Sequence, residues 1–111
     1  MTAASLTPLT ETYLAERGAS RLSPASIRHH RFLFRFIVTF ITARGHERWS
    51  SVTAGDLDAL LITAADRGWA RKTVEAYAWC LRSFGAWLFQ RGQVLRDPAA
   101  ELILPEAGEG E

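Results

Sequence analysis

Residues 22–45 read LSPASIRHHRFLFRFIVTFITARG, and this stretch decides the fold. Ser23 offers a hydroxyl N-cap, and Pro24 supplies a first helical residue whose φ is already set. Ile27, Leu33, Phe34, Phe36, Ile37, Phe40 and Ile41 then recur at intervals of three and four, the helical period. At the far end, Arg44 in the last turn complements the negative helix terminus, and Gly45 suits the left-handed residue just past it. No run of the chain alternates as a strand would.

The same Arg-Gly punctuation recurs at Arg17-Gly18, Arg67-Gly68 and Arg91-Gly92. Thr7-Pro8 repeats the hydroxyl-proline start, and Thr53-Ala-Gly-Asp56 forms a near capping box. These signals predict helices over about 8–17, 24–44, 54–67 and 71–91. The third contributes Leu57, Leu60, Leu61 and Ala64 to a core; the fourth contributes Val74, Tyr77, Leu81, Phe84, Trp87 and Leu88. Asp97-Pro98 marks a possible short fifth helix, and Pro105 to Glu111 reads as the start of an acidic linker. Gly85, inside the fourth helix, implies close approach of a neighbouring helix, since Gly there costs about 1 kcal/mol relative to Ala. Shifting the chain by 47 residues lays Ser26-Ile27 over Thr73-Val74, Phe32 over Trp79, Arg35 over Arg82 and Arg44-Gly45 over Arg91-Gly92. Two related helical hairpins packed as an all-α four-helix bundle follow from this echo.

With 111 residues, 13 basic against 12 acidic and 48% apolar, the chain holds one domain rather than two. The net charge of +1 conceals segregation. Residues 17–48 carry seven Arg against Glu47, net +6, and residues 97–111 carry five acids and no base. A lone Cys80 cannot form an internal disulfide, and no basic-then-apolar leader opens the chain, so the expected location is cytoplasmic. No apolar run approaches the length of a membrane span.

Catalytic patterns are missing: there is no Gly-rich phosphate loop, no Cys/His metal spacing and no nucleophile set against a base and its orienter. His29 and His30 point about 100° apart on a helix and cannot chelate one metal. Cys80 reads as a small buried apolar residue. Neither a cofactor nor a small-molecule ligand is expected. The polar face of the second helix is more informative. Arg28, Arg31 and Arg35 fall within about 60° of one another, with Thr39 and Thr42 extending the stripe. On the fourth helix Arg71, Glu75 and Arg82 form a stripe with Lys72 beside it, and Phe32 and Trp79 lie within these polar faces. Arginine forks with an interleaved aromatic suit a phosphate backbone and sugar edges, although any amphipathic helix also has a solvated stripe.

The order Leu22-Ser-Pro-Ala-Ser-Ile27, Phe36-Ile37, Arg44-Gly45 and Val52-Thr-Ala-Gly-Asp-Leu57 continues through Lys72-Thr-Val74, Leu81-Arg-Ser-Phe84, Trp87-Leu88, Arg91-Gly92, Asp97-Pro-Ala-Ala100 and Pro105. In order and spacing this resembles the N-terminal core-binding (SAM-like) domain of tyrosine recombinases, the phage integrase and Xer-type family, across about residues 5–105. The resemblance implies a DNA-binding domain spanning 1–104 that forms half of a clamp on double-stranded DNA in integration and recombination. Its second and fourth helices would lie across the major groove. Ser26 and Thr73 match hydroxyl positions near the helix starts; Arg28, His29 and Arg31 match the groove-facing start of the second helix, and Arg71 and Lys72 that of the fourth. The stripe itself adds Arg35 and Arg82. His30 and Tyr77 match a position that packs inward. The family's Tyr nucleophile with Arg, Lys and His-x-x-Arg groups finds no match here, so the fragment is expected not to cleave DNA and reads either as an excised domain of a longer recombinase, the favoured case, or as a natural stand-alone fragment. An alternative is a helical protein–protein module that joins recombinase protomers through Leu9, Tyr13, Leu14 and Phe32 or Trp79.

Overall fold

The computed structural model describes residues 3–20 and 22–104, and among these there are helices and turns but no strand. Four α-helices run α1 Ala3–Ser20, α2 Pro24–Ala43, α3 Ala54–Asp66 and α4 Arg71–Gln90, with a short 3-10 turn at Trp49–Ser51. The chain forms two compact units, Met1–Ser51 and Val52–Glu111. Each is a helical hairpin: α1 pairs with α2, and α3 with α4. The all-α class and the two hairpins match the sequence expectation; the acidic linker expected at 105–111 lies outside the described residues.

In the first unit the Ser23 hydroxyl oxygen caps α2 by accepting from the Ser26 N–H at 3.1 Å, with Pro24 following it. Leu33, Phe34, Ile37 and Ile41 of α2 are buried, as are Leu6, Tyr13 and Leu14 of α1. Tyr13 meets Phe34 edge-on, with ring centres 5.9 Å apart. From the 3-10 turn, the buried Trp49 donates its indole N–H to the Leu6 carbonyl at 2.8 Å. That anchor corrects the expected start of α1. The helix begins at Ala3 and runs through Pro8, so Thr7 is not its N-cap. Burying Leu6 outweighs the one backbone hydrogen bond that proline cannot donate. Nor does Gly18 end the helix. It lies within α1 on exposed surface, and the Leu22 N–H reaches back to the Arg17 carbonyl at 3.1 Å.

The other three Arg-Gly pairs do end helices. Gly45, Gly68 and Gly92 have φ of 93°, 82° and 74°, the left-handed region that disfavours a Cβ. Each makes the paired bonds of a Schellman motif, such as Gly92 N–H to Phe89 O at 3.1 Å and Gln93 N–H to Leu88 O at 2.9 Å. In the second unit, Thr53 and Asp56 complete a capping box in which Thr53 N–H donates to Asp56 Oδ2 at 2.8 Å and Asp56 N–H to Thr53 Oγ1 at 3.2 Å. Leu57, Leu60, Leu61 and Ala64 are buried on α3; Val74, Tyr77, Cys80, Leu81, Phe84, Trp87 and Leu88 are buried on α4. What approaches Gly85 is a turn rather than a helix. A Cβ there would run into the Asp97 carboxylate and lie 3.0 Å from the Ala99 Cβ. Asp97 Oδ1 accepts from the Ala99 N–H at 2.9 Å, and residues 98–101 form a turn in place of a fifth helix.

Candidate nucleic-acid interface

Helical phase puts Arg28, Phe32, Arg35 and Thr39 along one line of α2, and all four are exposed. Arg28 and Arg35 have no ion-pair partner among the described residues, so their guanidinium groups face solvent. Arg31 stands differently. Its Nε and Nη2 donate to the two carboxylate oxygens of Glu11 on α1, at 3.1 Å and 2.8 Å. This hydrogen bonding pulls the Glu11 carboxyl below its usual value; slight burial opposes the shift and the Arg31 charge adds to it. The Arg31 pKa is raised by the same contact. Beside the pair runs a groove of about 420 Å³, lined by Thr7, Thr10, Glu11, Arg31, Phe34, Arg35, Val38 and Thr39.

Ser26 is half-buried and tied into the cap, where the Ser23 hydroxyl donates to its Oγ at 3.2 Å. His29 is exposed, whereas the neighbouring His30 is half-buried and its Nδ1 has no hydrogen-bond partner. Burial lowers the His30 pKa, with the charges of His29 and Arg17 acting in the same direction.

On α4, Lys72 and Thr73 are exposed in the first turn, and the helix starts at Ala70 without a side-chain cap. First-turn N–H groups left in this way favour an anion. Arg71 pairs with Glu75, Nε to Oε2 at 3.2 Å. Arg82 is exposed, but its Nη2 also donates to the Leu102 carbonyl at 2.8 Å, so it holds the segment after α4. Trp79 stands out of this face as Phe32 does on α2. Cys80 is buried and its thiol pKa is pushed up to about 12, which leaves no thiolate for chemistry near neutral pH. Among the described residues no group of His, Cys, Asp or Glu could hold a metal ion, and no helix is long and apolar enough to cross a membrane.

Sequence reasoning therefore found the exposed cations through helical phase. It missed Glu11 and the Leu102 carbonyl, each twenty residues from the arginine it meets. No local spacing signals such a contact.

Fold and surface together define a class: an all-α domain of two hairpins, each presenting a cationic helix face with an exposed aromatic. Comparison with known proteins places it further. The chain is a distant homologue of tyrosine recombinases named XerC, aligned with their N-terminal part. It is 37% identical over 73 residues to the XerC of Mycobacterium leprae, covering 66% of this chain and 24% of that one. With the XerC of Shewanella amazonensis the identity is 28% over 86 residues, 78% of this chain and 28% of the relative. The Alcanivorax borkumensis XerC shares 27% over 97 residues, 87% and 30% of the two chains. The chain thus spans 24–30% of the length of these curated relatives. No family model and no solved structure matches it.

Proposed function

We propose that this chain is a duplex-DNA-binding domain of a site-specific tyrosine recombinase, contributing grip on the DNA and no strand cleavage of its own. The observation that carries this reading is the likeness to proteins named tyrosine recombinase XerC over most of the chain. The exposed cations of α2 and α4 agree with it. Arg28 and Arg35 are the principal contacts on α2, and Lys72 on α4; Ser26, His29 and Thr73 lie beside them near the helix starts. Arg31 and Arg71 reach phosphate by exchanging Glu11 and Glu75 for it, and Arg82 contributes charge from its position against the Leu102 carbonyl.

One small module neutralises few phosphates, so binding is weak and falls steeply with salt. Fluorescence anisotropy with a labelled duplex at two salt concentrations measures both properties. Changing Arg28→Glu together with Arg35→Glu lowers affinity by at least about tenfold and flattens the salt dependence. Unaltered binding by that double variant overturns the assignment of the α2 face.

A second reading, a module for joining recombinase protomers, loses Tyr13 and Leu14 of α1, which are buried, and rests instead on Leu95 and Ile103, which are 97% and 75% exposed. Concentration-dependent sedimentation without DNA, in a chain that binds no duplex, favours it instead.

A further inference from the structure

The internal echo extends from sequence to burial. Leu33, Phe34, Ile37 and Ile41 of α2 are buried, and so are their counterparts Cys80, Leu81, Phe84 and Leu88 of α4. At one pair of matched positions both hairpins turn a large aromatic outward. Phe32 is 61% exposed and Trp79 is 66% exposed. One helical turn from Phe32 lie Arg28, His29, Arg35 and the half-buried Phe36, and one turn from Trp79 lie Glu75, Ala76, Arg82 and Ser83. Phe32 lies one turn beyond Arg28 and one turn before Arg35, while Trp79 follows Lys72 by two turns and precedes Arg82 by one, all on exposed faces.

These surroundings select the occupant. An apolar protein surface closing over Phe32 would strip water from Arg28 and Arg35 without pairing them, which is costly. A duplex meets both demands at once. Its phosphates pair the guanidinium and ammonium groups, and its major groove offers the thymine methyl as an apolar contact. We propose that Phe32 and Trp79 are apolar DNA-contacting residues, each laid by its own hairpin against thymine methyl groups and sugar edges. The proposal rests on the DNA-binding reading above and adds to it a source of base preference that charge alone cannot supply.

The test uses the full chain and a randomised duplex pool synthesised with either thymine or uracil, which lacks only the methyl. The unaltered protein binds the thymine pool more tightly, by about fourfold for each methyl covered. Phe32→Ala and Trp79→Ala each weaken binding to the thymine pool and reduce that preference. Both leave the slope of affinity against salt unchanged, because no phosphate contact is removed. Ile62→Ala, on α3 at a site 50% exposed, alters none of these readings. Since all three side chains are exposed, thermal melts of the variants match the parent. Duplex binding with no thymine preference, or variants that keep both affinity and preference, overturns the proposal and leaves the DNA-binding reading intact. Loss of self-association in the variants without loss of DNA binding also overturns it, in favour of a protein interface. Absence of duplex binding in the unaltered chain overturns both.

Discussion

Glu11 and Arg31 form a bidentate pair, yet both side chains are more than two-fifths exposed, and water and salt screen such pairs strongly. Its consequence for stability is therefore read best through pH. Arg31 holds the Glu11 carboxyl below its usual value, so the folded state binds that proton less readily than the unfolded chain. The stabilisation is present above the ordinary carboxylate range and is lost as pH falls through the depressed folded value. Glu11→Gln should accordingly melt slightly below the parent at neutral pH, and the gap should close on acidification. His30 acts earlier in the same direction. Burial depresses its pKa from the ordinary 6.5, so stability declines as pH drops below that value and the unfolded chain takes up a proton. His30→Phe should flatten this first decline, measured as melting temperature between neutral and mildly acidic pH; an unchanged profile would locate the titration elsewhere. On the DNA-binding reading, Glu11 also competes with phosphate for the Arg31 fork, so Glu11→Gln should bind duplex more tightly.

At the scale of elements, two helical glycines make opposite predictions. Gly18 is exposed in α1, and a Cβ there would meet only ordinary contact with Ile27 at 3.7 Å. Gly18→Ala should stabilise by about 0.5–1 kcal/mol, the difference in helix propensity. Gly85→Ala gains the same propensity but must push aside Asp97, which holds the Ala99 N–H, and Ala99 itself. Overpacking costs about 1–3 kcal/mol and the lost hydrogen bond about 1 kcal/mol more, so the net effect should be destabilising. Urea denaturation of the two variants should move the midpoints in opposite directions. The contrast also marks what was legible in the sequence. For α2, α3 and α4, cap residues and Arg-Gly ends lie within a few positions of what they terminate, and the boundaries came out within a residue. In α1, Pro8 and Gly18 carry the same local signals, but the burial of Leu6 and the Trp49 bond to its carbonyl override that of Pro8, and the helix runs past Gly18 to Ser20. The positions of Arg28 and Arg35 followed from helical phase. The partners of Arg31 and Arg82 did not, because each depends on how distant segments come together.

For the molecule as a whole, the net charge of +1 is an average over segments that act in opposite senses toward a polyanion. Seven arginines lie in residues 17–48, whereas residues 97–111 carry Asp97, Glu101, Glu106, Glu109 and Glu111 without a base. Asp97 has a structural task at the Ala99 N–H, so it cannot be removed as a charge alone. Ending the chain after Leu104 removes three carboxylates, leaves the buried Leu102 in place and raises the net charge to +4. Since repulsion between carboxylates and phosphates acts over a Debye length of about 10 Å at 0.1 M salt and about 3 Å at 1 M, the shortened chain should bind duplex more tightly at low salt. The two affinities should converge as salt rises, with the faster association of the shortened chain accounting for most of the difference. A gap that persists at high salt would mean that residues 105–111 affect binding by contact rather than by charge. Equal affinities at low salt would mean that these acids lie too far from the bound phosphates to be felt.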